Sequence, residues 1–352
     1  MFENINELLG IAREKGASDL HITVGVPPKV RVDGVLESIG EEKIMPQDAE
    51  KLIWEIIPER LREQFAEKGE IDFSHAITGV GRFRINAFRQ RGSMACVIRI
   101  VAVDIPSAEE LGMPASVVDL AYRKKGLVIV AGPTGCGKST TLASLIDMIN
   151  TNLNNHVITL EDPIEYLHRH KKSIVNQREI GIDSHSYSDA LRAALREDPD
   201  VIFVGEMRDL DTISTAITAA ETGHLVFSTL HTTGAANTID RIIDVFPAHQ
   251  QQQIRIQLAS VLESVVSQLL LPKAEGHRVA AFEVMHTNPA IRNLIREGKT
   301  HQIDTIIQTS RKNGMITMDD AIHELYTSGQ ITKDTAVSYA QDPVVMARKC
   351  GV

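Results

Sequence analysis

Leu127-Val128-Ile129-Val130-Ala131-Gly132-Pro133-Thr134-Gly135-Cys136-Gly137-Lys138-Ser139-Thr140 decides the fold. Five apolar residues of strand character run into Gly-x-x-x-x-Gly-Lys-Ser, and Leu142 and Ile146 behind it lie at helical spacing. A glycine-rich turn between a strand and a helix has one well-understood use. The glycines let the backbone curl so that successive N–H groups face inward, the helix N-terminus adds partial positive charge, and together they cradle a triphosphate. The reading assigns Gly132, Pro133, Thr134, Gly135, Cys136, Gly137, Lys138, Ser139 and Thr140 to ATP. Lys138 is expected to reach the β and γ phosphates and the Ser139 hydroxyl to serve Mg2+.

Around this motif, short apolar runs alternate with helix-length segments: Leu127 to Ala131, Val157 to Leu160, Val201 to Val204 and Leu225 to Ser228. That alternation predicts an α/β domain on a buried, mostly parallel sheet, whose strand C-termini form the ligand edge. Two of the runs end in acids, Glu161-Asp162 and Gly205-Glu206, and a third delivers His231. Hydrolysis needs a carboxylate on the metal side and a group that orients or deprotonates water, and either acid suits either task. His231 is placed to hydrogen-bond a γ phosphate and report its loss. From about Ala235 the chain reads as mainly helical, with Ile254, Leu258, Val261, Leu262 and Val265 marking one long amphipathic helix and a short hairpin near 278–285.

Upstream the pattern differs. Ile5, Leu8, Leu9 and Ala12 give an opening helix, ended by Gly16, and Asp33-Gly34 between Lys29 to Val32 and Val35 to Ile39 predicts a hairpin. After a helix at about 46–57, Glu70 to Ile77, Gly81 to Gln90 and Ser93 to Val101 read as antiparallel strands around turns at 78–80 and 91–92. Alternation puts Arg82 and Arg84 on one face of their strand, opposite Phe83 and Ile85. Pro106, Gly112 and Pro114 mark a joint, so the domains are 1–103, a linker 104–116, and 117–352.

Composition narrows the class. The 352 residues exceed what one core usually supports, and 43% apolar with 24% charged residues is ordinary globular usage. No stretch approaches the roughly 20 apolar residues of a membrane span, and Met1-Phe2-Glu3-Asn4 does not open a secretory signal, so a cytoplasmic protein without membrane insertion is expected. Cys96, Cys136 and Cys350 are isolated, suggesting neither disulfides nor zinc. A formal charge of −9 argues against nucleic acid as the dominant partner.

Several segments together resemble the secretion ATPase superfamily of type II secretion, type IV pili and type IV secretion. Ile158-Thr159-Leu160-Glu161-Asp162-Pro163-Ile164-Glu165 looks like its aspartate box. Leu195-Arg196-Glu197-Asp198-Pro199-Asp200 through Gly205-Glu206-Met207-Arg208-Asp209 resembles its atypical Walker B, and Ser228-Thr229-Leu230-His231-Thr232-Thr233 its histidine box. The resemblance implies a PAS-like N-terminal α+β domain, a RecA-like P-loop NTPase domain with a helical C-terminal extension, and a homohexameric ring. It also implies that Glu161 is the catalytic glutamate, that Glu206 shapes the magnesium and water shell, and that His231 senses nucleotide state.

Gly81-Arg82-Phe83-Arg84-Ile85-Asn86 resembles the segment that offers arginines to the nucleotide; in related P-loop enzymes such a finger is worth about 10³ to 10⁵ in rate. Ala290-Ile291-Arg292-Asn293-Leu294-Ile295-Arg296 looks like the signature of the pilus-retraction branch. A start close to the first sheet and the lack of a four-cysteine zinc site point the same way. The implied partners are the inner-membrane platform protein of the pilus machine, with which the ring associates peripherally, and the paralogous extension ATPase. Two rivals stay open on the residues alone: a DNA-translocating or secretion-type ring, and a non-hydrolysing ATP-binding scaffold.

Overall fold

The computed structural model describes residues 4–32, 34–77, 81–101 and 104–351. Three features of the sequence reading, Asp33 in the expected hairpin turn, the turn at 78–80 and the opening Met1 to Glu3, lie outside the described residues. The chain forms two compact units, one of residues 1–104 with 165–167 and one of 105–164 with 168–352.

In the first unit, α1 (Ile5–Glu14) starts at Asn4, whose side chain accepts the Glu7 N–H, and buries Ile5, Leu8, Leu9 and Ala12. Strands β1 (Asp19–Ile22), β2 (Lys29–Val32) and β3 (Val35–Ser38), helices α2 (Pro46–Ile56) and α3 (Glu59–Lys68), and strands β4 (Glu70–Ile77), β5 (Gly81–Gln90) and β6 (Ser93–Ile100) complete it. All neighbours in the sheet order β3-β2-β1-β6-β5-β4 are antiparallel. Helix α3 escaped the sequence reading because its only fully buried side chain is Phe65, too little for an apolar stripe. On β5, Phe83 and Ile85 are fully buried while Arg82 is half-buried and Arg84 exposed. Arg82 stands opposite Ala76, and Arg84 opposite Ser74 and Arg99.

The second unit opens with the short helix α4 (Ala115–Val118) and continues through β7 (Gly126–Ala131), α5 (Lys138–Asn152), β8 (His156–Glu161), β9 (Ile174–Glu179), α6 (Tyr187–Ala194), β10 (Val201–Val204), α7 (Leu210–Glu221), β11 (Leu225–Leu230), α8 (Ala235–Asp244) and α9 (Ala248–Val261). Strands β12 (Leu262–Pro272) and β13 (Arg278–His286) and helices α10 (Pro289–Glu297), α11 (Ile303–Thr309), α12 (Met318–Thr327), α13 (Lys333–Tyr339) and α14 (Pro343–Lys349) follow. The sheet order is β13-β12-β7-β11-β10-β8-β9, parallel throughout except for the β12–β13 pair. Both faces are covered. Leu127, Ile129 and Ala131 belong to one apolar core and Val128 and Val130 to the other, which is why β7 reads as a continuous apolar run. Ala108, Leu111 and Met113, within the stretch read as the joint, pack on the second of these cores.

The expected long helix through Val265 is a correction. Helix α9 ends at Val261, and Leu262 turns at once to extended backbone (φ −65°, ψ 119°) to begin an 11-residue strand beside β7. No glycine or proline punctuates the change, and Leu262 and Val265 satisfy helical spacing as well as strand burial. What decides is the unpaired edge of β7, whose buried N–H and C=O groups need a partner.

The turn from α9 into β12 is clamped by Arg292 of α10. Its guanidinium donates to the carbonyls of Ala259 and Ser260, the latter at 2.7 Å, and pairs with Glu263 at 3.4 Å. The last carbonyls of a helix have no internal donor, so an arginine that supplies one fixes the helix end. Ile291 and Ile295, one turn apart on α10, are fully buried beneath it. Arg292→Leu, which keeps the apolar stem, is expected to cost about 2 kcal/mol. That corresponds to a melting temperature lowered by about 4 to 8 °C, checked by thermal denaturation.

Candidate functional site

Register places the site residues. Ala131 of β7 pairs with Leu230 of β11, so Gly132 and His231 leave the sheet side by side; Val204 of β10 pairs with Leu160 of β8 and with Ser228 of β11, so Gly205, Glu206 and Glu161 emerge at the same edge. The tips therefore run P-loop, His231, Glu206, Glu161. At ordinary strand spacing Glu161 lies three strands, or about 14 Å, along the sheet from β7, with His231 and Glu206 between.

The P-loop has the backbone its function requires. Gly132, Gly135 and Gly137 have φ of 148°, 78° and 92°, values that L side chains rarely adopt. At Gly132 space is also decisive, because a Cβ there would lie 2.4 Å from the Gln268 carbonyl oxygen and 2.6 Å from Cys136 Sγ. The buried Gln268, from β12, accepts a 2.8 Å hydrogen bond from Thr141 Oγ1 of α5, fastening the P-loop helix to the strand missed in the sequence. Lys138 opens α5 and is buried; its ammonium donates to the carbonyls of Gly132 at 2.8 Å and Pro133 at 3.1 Å, and stands 3.4 Å from His231 Nδ1. Thr134 Oγ1 is also 3.4 Å from that nitrogen. Ser139 and Thr140 follow in the first turn of α5, half-buried. A cradle of positive-φ glycines, a helix N-terminus and a lysine folded over the loop fit a nucleotide's phosphates.

The acids are held differently. Glu206 Oε1 is 2.5 Å from Arg208 Nε and 3.5 Å from His231 Nε2. Glu161 is buried, and its Oε1 accepts from Thr159 Oγ1 at 2.6 Å and from Gln177 Nε2 at 3.1 Å. A cavity of about 720 Å³ runs beside the P-loop, lined by Thr134, Glu206, Arg208, His231 and Arg241 among others. Among the described residues no group of three or more His, Cys, Asp or Glu could hold a metal by itself. A serine hydroxyl with strand-tip carboxylates fits the magnesium of a nucleotide, a hard ion that keeps waters and phosphate oxygens among its ligands. Arg82 and Arg84 belong to the first unit.

Two contributors went unread in the sequence, and a third, Gly205, was read only as the residue before Glu206. Gln177 sits on β9, a strand too polar (Ile-Val-Asn-Gln-Arg-Glu) to announce itself. Tyr187 is the first residue of α6, behind the Ser186 cap, where an aromatic carries no positional signal. Burial, then the charges of Asp162, Glu206 and Glu161, push its phenol well above the ordinary tyrosine range. Gly205 has ordinary backbone, but a Cβ there would meet Tyr187 Oη at 2.8 Å and the Leu160 carbonyl at 3.1 Å.

His168 closes the segment that leaves Glu161. Its N–H donates to Gln177 Oε1 at 2.8 Å, so Gln177 ties this segment to the Glu161 carboxylate. Burial lowers the imidazole to about 4 from 6.5; Asp147, 4.0 Å away, raises it less, and Lys171 lowers it further. Burial prevails, since the side chain is only 3% exposed. The sign follows from linkage: the unfolded chain takes up a proton near pH 6.5 that the folded chain refuses until about pH 4. Stability is therefore present above pH 6.5 and falls toward pH 4, by about 3 kcal/mol in all. Urea unfolding at pH 7.5 and 5 is expected to show this slope, and His168→Gln to flatten it.

Fold and site together define a P-loop nucleotide-binding protein with acids and a histidine aligned on the strand tips of a parallel sheet. The chain belongs to the type II/IV secretion system protein family, whose model matches residues 1–340. It is 48% identical over 340 residues to the type IV pilus retraction ATPase PilT of Pseudomonas aeruginosa, covering 97% of this chain and 99% of that one. It is 45% identical over 321 residues to a twitching motility protein of Neisseria gonorrhoeae, covering 91% and 86%. The crystal structure of the pilus retraction motor PilT with bound ADP superposes with a TM-score of 0.92 at 50% identity, over 99% of this chain and 100% of that one.

Proposed function

We propose that this chain is an ATP-hydrolysing motor that powers type IV pilus retraction, acting as a homohexameric ring in the cytoplasm at the inner-membrane pilus machinery. The observation that carries this reading is the line of P-loop, His231, Glu206 and Glu161 on one sheet edge, in a chain similar to a retraction ATPase over nearly its whole length. No helix among the described residues is long and apolar enough to cross a membrane, and the platform protein is the expected membrane partner.

In this reading residues 132–140 bind ATP, and Lys138 exchanges the Gly132 and Pro133 carbonyls for the β and γ phosphates. Ser139 and Glu206 would hold magnesium, which would supply charge neutralisation at the phosphates. Glu161 orients the attacking water and takes its proton, while Thr159 and Gln177 hold the carboxylate still. His231, touching Lys138 on one side and Glu206 on the other, registers whether the γ phosphate is present. The first unit serves as the PAS-like domain, and Arg82 and Arg84 offer guanidinium groups to a nucleotide. The start of the stretch 104–116, ahead of the packed Ala108, lets that unit swing between bound and released states. Alanine at both arginines is expected to lower ATP turnover by about 10²-fold or more; unchanged phosphate release would remove them from the mechanism.

Deleting the gene tests the function itself. Retraction predicts cells carrying surplus pili that no longer twitch. Bald cells would assign the chain to extension, and unaltered pili would end the pilus reading.

A further inference from the structure

Glu206 and Tyr187 have complementary unmet needs at one point of the fold. The two side chains that contact the Glu206 carboxylate, Arg208 and His231, both do so at Oε1, and among the described residues Oε2 carries no hydrogen bond. The Tyr187 hydroxyl likewise makes none among the described residues, although it lies within the field of Asp162, Glu206 and Glu161. Its place is fixed. The ring packs on the apolar core, α6 is capped by Ser186 and anchored by Ala190 and Leu191, and Oη hangs over Gly205, the residue before Glu206.

We propose that Tyr187 is a positioning residue of the hydrolytic site: its hydroxyl, without a hydrogen bond among the described residues here, donates to Glu206 Oε2 when nucleotide is bound, so that the carboxylate is then held from both oxygens. The inference rests on the hydrolytic reading above. The chemistry suits a phenol. Three carboxylates crowd this edge, and a further cation would compete with a metal ion for them, whereas a neutral O–H donor fixes one acid without adding charge. Tyrosine remains such a donor across the working pH range, since its ordinary pKa is about 10. A carboxylate gripped only at Oε1 turns about that contact, and a displacement of about 1 Å in a catalytic group is enough to cost a large factor in rate.

Tyr187→Phe removes the hydroxyl and nothing else. The expected result is a kcat for ATP lowered about tenfold, with KM, ADP affinity by titration calorimetry and melting temperature all unchanged. A kcat within twofold of the parent would overturn the proposal, and so would a KM that rises in proportion. A melting temperature lower by more than about 5 °C would mark the hydroxyl as a structural bond and overturn it too. Glu161→Gln, run in parallel, separates the two levels: if that variant hydrolyses ATP normally the hydrolytic reading itself fails, whereas if it is dead and Tyr187→Phe is normal only this inference fails.

Discussion

Glu161→Gln is expected to lower ATP hydrolysis by about 10²- to 10⁴-fold, the range a positioned general base contributes, while ADP and a nonhydrolysable ATP analogue still bind. The substitution is informative because of how the carboxylate is held. Its Oε1 accepts from Thr159 and Gln177, and a glutamine of the same shape retains an oxygen for both donors. What it loses is basicity, the property needed to take a proton from water. In the proposed mechanism the phosphates are gripped at the far end of the line of strand tips by Lys138 and the P-loop, so binding and chemistry are expected to separate. Lys138→Ala is the converse control, weakening nucleotide binding itself. Phosphate release measured alongside calorimetric binding decides the matter. Turnover of Glu161→Gln within threefold of the parent would move the base elsewhere, with Glu206 the next candidate.

The readable and unreadable parts of this site differ in physical kind. A strand buried on both faces must be an apolar run, and a polar residue directly after it must lie at the sheet edge. Glu161, Glu206 and His231 could therefore be picked out from Val157 to Leu160, Val201 to Val204 and Leu225 to Leu230 alone. The P-loop is legible for the same reason, since its glycines answer to backbone geometry that other residues rarely adopt. The order of the tips is not legible. Nothing local in β7 reveals that β11 and β10 lie between it and β8, because strand order is set by crossover packing. The supporting residues are hidden for a related reason. Gln268 acts from a strand whose spacing mimics a continuing helix, and Gln177 from an edge strand exposed enough to be polar. Tyr187 acts from a helix start where its ring answers to the core and only its oxygen to the site. The signature at 290–296 is legible as an amphipathic helix, but not as the clamp that Arg292 makes on the end of α9.

Gly205→Ala is expected to lower hydrolysis by about 10²-fold, and most of that loss is expected to return when Tyr187→Phe is added. The added methyl would lie 2.8 Å from Tyr187 Oη, 3.1 Å from the Leu160 carbonyl oxygen and 3.4 Å from Glu161 Cα. Two of these neighbours are backbone at the tip of β8, and the Leu160 carbonyl already accepts the Gly205 N–H at 2.7 Å. The tip of β10 cannot retreat without loosening that bond, so either the phenol is driven out of the acid cluster or Glu206 is carried away from its neighbours. Overpacking of this kind costs about 1 to 3 kcal/mol in stability, and the displaced carboxylate costs the rate. Removing the phenolic oxygen abolishes the shortest contact and leaves 3.1 Å as the tightest, which small shifts absorb. The four proteins form a cycle of kcat values. If the clash is the cause, the double variant works at about the level of Tyr187→Phe alone, well above Gly205→Ala, a large departure from additivity between touching residues. If the two losses simply multiply, the strain at Gly205 arises from the β8 backbone instead. In that case the glycine before the acid serves strand packing alone.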